Sequence, residues 1–193
     1  MRVLDVGCGF GTELAHCGVA STDIVVGIDR AFERLVVAAG KFSQRRFVQA
    51  QGEALPFRSQ SFQSVTCQVA LPYMNIPAAL QEASRVLEPG GTLHLSLHAL
   101  RFTLHELTIA FPKPKALLFR VWVIVNGVIL HLTGKPANIR GRYESFQTCR
   151  GITIALRNAG FENISFSRPA SRFGPRLLVK ASKALTPGVA HLL

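Results

Sequence analysis

Near its start the chain reads Val3-Leu4-Asp5-Val6-Gly7-Cys8-Gly9-Phe10-Gly11-Thr12. An apolar run that breaks into alternating glycines predicts a buried strand entering a tight turn. Thr12 stands where it can cap a helix starting at Leu14. Gly7, Gly9 and Gly11 carry no Cβ, so the backbone is free to take positive φ and a ligand can approach closely. A helix start behind the loop offers N–H groups. The spacing is Asp-x-Gly-x-Gly-x-Gly. It is neither the Gly-x-Gly-x-x-Gly of dinucleotide folds nor a phosphate loop ending in Gly-Lys-Ser/Thr. No Lys or Arg sits in the loop, and Asp5 would repel a phosphate. The ligand these residues suit is a nucleoside carrying positive charge.

The next segments follow at the distances of a βαβ series. Asp23-Ile24-Val25-Val26-Gly27-Ile28-Asp29 predicts a second buried strand ending in an acid. A carboxylate there can accept from two ribose hydroxyls; capping the helix that begins at Ala31 is the plainer role. That helix runs to about Phe42, with Phe32, Leu35, Val36 and Ala39 at helical spacing. Phe47 to Ala50 is a short third strand, followed by Gln51-Gly52-Glu53-Ala54-Leu55-Pro56-Phe57. Ser61 to Val69 is a fourth strand. Ala78 to Leu87 is an amphipathic helix running into Pro89-Gly90-Gly91, read as a stop and a reversal before a fifth strand. Glu82 and Arg85 read as an ion pair on that helix. Phe146 to Ala159 is a further helix. Phe161 to Phe166 and Arg176 to Ala181 are two final strands.

Taken together, these motifs resemble the class I S-adenosylmethionine (SAM)-dependent methyltransferases, in particular the methyltransferase type 11 branch that includes quinone-biosynthesis enzymes. The resemblance covers about residues 2–98 and 144–182. It implies an α/β fold: a Rossmann-like doubly wound sheet, mostly parallel with an antiparallel last strand, plus a helical lid insertion. It implies three stretches, a SAM-binding core at 1–98, an apolar and basic lid at 99–143, and the rest of the core at 144–193. It implies SAM as cofactor, with contacts from Asp5, Gly7, Cys8, Gly9, Gly11, Asp29, Arg30, Gln51, Gly52, Glu53 and Gln68. The chain departs from the pattern in places. Gln51 stands where the family usually has Asp or Asn, and Gln63 where it usually has Asp. The strand also begins at residue 2, where relatives carry a helical segment ahead of it, so a shortened form is one expectation.

Charge is divided unevenly. Residues 1–96 hold 8 basic and 8 acidic residues; residues 97–193 hold 14 basic and 3 acidic, the entire +11 excess. The first half therefore suits a small ligand and the second half faces something anionic. Four cysteines (Cys8, Cys17, Cys67 and Cys149) show no metal-ligand or paired spacing and read as reduced thiols. With no leader visible at Met1, the expected location is cytoplasmic, with peripheral membrane contact. Residues 116–132 are strongly apolar but span 17 positions and include Arg120 and Asn126, short of a membrane span of about 20. The segment reads as a lid over an apolar substrate or as an interfacial helix meeting anionic headgroups through Lys113, Lys115, Arg120, Lys135, Arg140 and Arg142. Packing on the core or forming a dimer is the plainer alternative.

Methyl transfer is an in-line displacement on an already activated methyl group. The protein must mainly align the partners and exclude water. A base is required only if the acceptor loses a proton. His98 and Tyr73 are the catalytic candidates, with His105 and Tyr143 behind them. No metal site is expected. The expected activity is methyl transfer to a small apolar or lipid-like acceptor. The rivals are an RNA or other nucleic-acid methyltransferase, favoured by the basic half, and a non-catalytic scaffold using the same fold.

Overall fold

The computed structural model describes residues 1–12, 23–97, 100–167 and 177–185. The helix expected from Leu14, together with Cys17, His98 and Arg176, lies outside the described residues. Seven strands form one sheet in the order β3-β2-β1-β4-β5-β7-β6. They are β1 (Arg2–Val6), β2 (Ile24–Asp29), β3 (Arg46–Gln49), β4 (Phe62–Gln68), β5 (Leu87–Leu97), β6 (Phe161–Ser167) and β7 (Leu177–Lys183). β7 pairs antiparallel with both β5 and β6, so it alone runs against the other six. This is the mixed, Rossmann-like arrangement expected from the motif order.

The strands are apolar because both faces are covered. Val3, Leu4 and Val6 of β1 and Val65 and Cys67 of β4 are buried. Helix α1 (Phe32–Lys41) buries Leu35 and Ala38, and α2 (Ile76–Val86) buries Ile76, Ala79, Leu80, Ala83 and Val86. These spacings of three and four residues put each set on one helical face.

The reversal expected at Pro89-Gly90-Gly91 takes another form. α2 passes directly into β5, and Phe62 pairs with Leu87 while Ser64 pairs with Thr92. Residues 88–91 form a bulge rather than a separate turn, with Gly90 at φ +74°. The later helix is also shorter than expected. α5 spans Cys149–Asn158, because the Thr148 side chain accepts from Gly151 N–H and sets the start there.

Between β5 and α5 lies a helical hairpin, α3 (Leu100–Ala110) and α4 (Pro114–Thr133). α4 is 20 residues long, with a mean hydropathy of 1.8 over its apolar window. It thus exceeds the 17-residue apolar run and is long and apolar enough to cross a membrane, although only 22% of that window is buried. It ends at Gly134, whose φ of +71° supplies the left-handed cap.

Candidate functional site

Strand order reverses between β1 and β4, and open α/β sheets bind ligands outside the carboxyl ends of the strands at such a point. A cavity of about 480 Å³ opens there. Gly7 follows β1, Asp29 and Arg30 close β2, Ala50 follows β3 and Ala70 follows β4, and all of them line it. Gln51, Gly52 and Glu53 add one wall, Tyr73 and Met74 another, and Arg34 reaches in from α1. Gly141 and Tyr143 come from the segment after α4.

The glycine loop is held from behind. Gly7 and Cys8 N–H both donate to Ile28 O at 2.8 Å, and Gly11 N–H donates to Cys8 O at 2.8 Å. Gly9 N–H donates to Asp29 Oδ2 at 2.9 Å. The Gly7, Cys8 and Gly9 donors point at β2 and that of Gly11 back into the loop, so this part of the loop is no phosphate cradle. Gly7, Gly9 and Gly11 all sit at positive φ. At Gly7 a Cβ would also run into Ala70 Cβ, so the turn and the close approach of β1 to β4 both depend on glycine there.

Asp29 is 6% exposed. Besides Gly9 it accepts from Ala31 N–H through Oδ1 at 2.9 Å. It thus braces the backbone ahead of α1 and lines the cavity. The two N–H groups fix the carboxylate, and each oxygen retains a second acceptor site beside the cavity. Glu53 is fixed in a similar way: its Oε1 accepts from Asn75 N–H at 2.8 Å, tying the 51–54 loop to the start of α2.

Several of the residues singled out in the sequence do not line the cavity. Asp5 is fully buried within β1 beside Thr66 of β4 and does not line the cavity. Its charge instead raises the pKa of two thiols. Cys8 is buried, and desolvation, then Asp5, pushes it up to about 12. Its Sγ occupies the space a Cβ on Gly27 would need. Cys67 is also pushed up to about 12, mainly by burial. Cys8 is therefore a packing residue. Gly9 and Gly11 shape the loop without lining the cavity, and Gln68 donates to Thr66 Oγ1 at 3.0 Å. Of the base candidates, Tyr73 lines the cavity. Burial, then Glu144, raises its pKa, so the phenol stays protonated near neutral pH and suits hydrogen-bond donation better than proton removal. His105 is on α3 and does not line the cavity, whereas Tyr143 does.

Glu82 and Arg85 do more than pair with each other. Glu82 accepts from Leu55 N–H at 2.8 Å, while Arg85 donates to Leu55 O at 2.9 Å and Phe57 O at 2.8 Å. Their mutual bonds, both 2.7 Å, hold Glu82 below the usual carboxylate range. The pair clamps the segment that carries Gln51 to Glu53.

Three cavity residues carry weak sequence signals. Gly141 sits in a two-residue hairpin in which Ile139 and Arg142 exchange bonds of 3.1 and 3.0 Å. Arg140 and Gly141 have φ of +50° and +80°, the signature of a type I′ turn. Asn-Gly announces such turns and Arg-Gly does not, yet Asn138 Oδ1 accepts from Gly141 N–H at 2.7 Å and sets it. Met74 and Arg34 are ordinary helix and turn residues until the fold brings them to the cavity. Val69, between β4 and the cavity residue Ala70, has φ +61°, a conformation that is costly for a β-branched side chain.

The site fits the nucleoside part of SAM by its donor set: two fixed carboxylates, a mixed polar wall at Gln51 to Glu53, and an apolar surface from Ala50, Ala70 and Met74. The comparisons agree. Residues 4–95 match the family described as "Methyltransferase domain". Over 167 residues the chain is 29% identical to a 2-phytyl-1,4-naphtoquinone methyltransferase of Thermosynechococcus vestitus, covering 83% of this chain and 72% of that protein. Over 185 residues it is 31% identical to the ubiquinone/menaquinone biosynthesis C-methyltransferase UbiE of Sinorhizobium fredii, covering 86% and 66%. It spans only about 40% of the length of several other relatives it matches. A SAM-dependent methyltransferase from Methanosarcina mazei superposes with a TM-score of 0.64 at 22% identity, over 95% of this chain and 92% of that one, a likeness of fold. With these matches, the motif order and the cavity at the strand switch point, residues 4–95 carry a methyltransferase domain, and the chain has the fold of the SAM-dependent methyltransferases.

Proposed function

We propose that the protein moves a methyl group from SAM to an apolar, quinone-like acceptor. The observation that carries this reading is the shared cavity. Its floor belongs to the cofactor strands, and its cover, Gly141 and Tyr143, belongs to the end of the apolar hairpin. Two relatives whose names specify quinone substrates support the choice of acceptor.

Bound SAM supplies a methyl group already activated by a sulfonium. The residues around it bind and orient. Asp29 offers its remaining acceptor sites to the ribose hydroxyls, and Glu53 and Gln51 offer polar atoms along the adjoining wall. Tyr73 holds a proton at its phenol oxygen and can donate it to an acceptor oxygen, fixing the ring's orientation. Tyr143 shields the cavity from water. Its hydroxyl accepts from Asn138 Nδ2 at 2.8 Å, which holds the ring in place.

The test is a transfer assay with SAM labelled in the methyl group, offered a membrane lipid extract and total RNA side by side. Label moving into the organic phase with the quinone fraction is the expected result. Label in RNA would overturn the acceptor assignment. Absence of calorimetric binding to SAM and to its demethylated product would overturn the enzymatic reading.

A further inference from the structure

α4 is built inside out. The polar residues Arg120, Asn126 and His131 along its length face the protein. Arg120 donates to Glu106 of α3 at 2.7 Å and to Glu144 at 2.6 Å. Asn126 is fully buried. Its Nδ2 donates to the carbonyls of Ala137, Tyr143 and Glu144, and its Oδ1 accepts from Ala137 N–H at 2.6 Å. His131 Nδ1 pairs with Thr148 Oγ1 at 2.9 Å. Next to Asn126, Gly127 leaves room for the Phe146 ring, which a Cβ would strike. The face turned to solvent carries Leu118, Val121, Val125, Val128 and Leu132, between 45% and 73% exposed. Spacings of 3, 4, 3 and 4 residues make this one straight stripe about 20 Å long at 1.5 Å per residue. α3 and the connection beside it add exposed Phe102, Leu104, Ile109 and Phe111. A contiguous apolar surface of this kind marks an interaction site.

The charge around the stripe selects the occupant. The only acids in residues 100–144 are Glu106 and Glu144, and both pair with Arg120. Lys113 and Lys115 at one end of α4 and Lys135, Arg140 and Arg142 beyond the other have no acid in that stretch left to balance them. An apolar stripe between cationic ends fits a layer with an apolar interior and an anionic surface. A second copy of this chain would bring the same unbalanced cations against their own kind.

We propose that the α3–α4 hairpin docks on an anionic lipid bilayer, with α4 lying in the interface along its Leu118–Leu132 stripe. α4 then runs into the segment that carries Gly141 and Tyr143 to the cavity. Resting on the acceptor reading above, this gives an acceptor dissolved in the bilayer a short path to the methyl donor.

The experiment is vesicle sedimentation of the full chain without SAM or acceptor, so that its outcome is independent of methyl transfer. Vesicles of phosphatidylcholine mixed with phosphatidylglycerol are compared with phosphatidylcholine alone, for the wild type, Val125→Glu, and the pair Lys113→Glu with Lys115→Glu. The wild type is expected on the mixed vesicles and released by alkaline carbonate. Val125→Glu should lower partition about tenfold or more, because a carboxylate enters the apolar layer. The lysine pair, exposed and remote from the packed face, should lower it several-fold even if the first variant fails to fold. Retained calorimetric binding of the demethylated cofactor shows that a variant is folded. The proposal is overturned by any of four results: no association with the mixed vesicles, equal association of folded variants, retention through carbonate, or a dimer that Val125→Glu dissociates.

Discussion

Asp29 shows how one residue can brace the backbone and line the cavity at once. Its carboxylate joins the glycine loop to the start of α1 through Gly9 and Ala31 N–H, both at 2.9 Å, and still lines the cavity. Asp29→Ala should therefore weaken binding of the demethylated cofactor by about 1–3 kcal/mol in calorimetry, the scale for a lost hydrogen bond to a charged group. Unchanged affinity would remove it from the ribose. Cys8 and Cys67 make the opposite case, because burial takes them out of the chemistry. Their thiols titrate near 12, so both remain protonated at pH 8. Peptide mapping after iodoacetamide at pH 8 should find both unmodified in the folded protein and modified after denaturation, since the thiolate is the reacting form.

At the scale of elements, the cover of the cavity depends on one buried amide. Asn126 satisfies three carbonyls and one N–H of residues 137–144 from inside α4. Asn126→Ala leaves those groups without their partner and should cost about 1–3 kcal/mol. The loss should fall on the hairpin: hydrogen exchange at Ala137 N–H should accelerate, while amides of β1 and β4 keep their protection. Weaker cofactor binding by the same variant would show that the 139–142 turn contributes to closing the site. The Glu82–Arg85 clamp belongs to this scale too. Its sequence signature was readable as an ion pair, but its hold on Leu55 and Phe57 depends on a loop 27 to 30 residues away.

For the whole molecule, the two halves differ in charge. Residues 1–96 balance their charges, and the +11 excess lies beyond them. A cofactor held mainly by the first half should still stabilise the whole molecule, because β7 pairs with β5 and joins the last strands to the first sheet. Demethylated cofactor at about a hundred times its Kd should raise the thermal midpoint by roughly 5–10 °C in a single transition. The Asp29→Ala variant, at the same ligand concentration, should shift less. Two separate transitions would show that the hairpin and the sheet unfold independently.

The succession of strands along the chain was legible from its residues, and the resemblance they carry implied the fold class. Strand, glycine turn and helix signals are local, and their order along the chain admits few right-handed arrangements. Asp29 and Gln51 to Glu53 were legible for the same reason, since each lies at or just beyond the end of a strand. Local pattern does not show what depends on neighbours far along the chain. Asp5 and Cys8 are buried, and neither they nor Gln68 line the cavity. Gly141 and Tyr143 come to the cavity from the segment after α4, and Met74 from the turn after β4. The direction of α4 was also decided in three dimensions. Its sequence is apolar nearly all round, so periodicity could not choose a face. Asn126, Arg120 and Gly127 choose it by finding partners inside, which leaves the leucine and valine stripe outside.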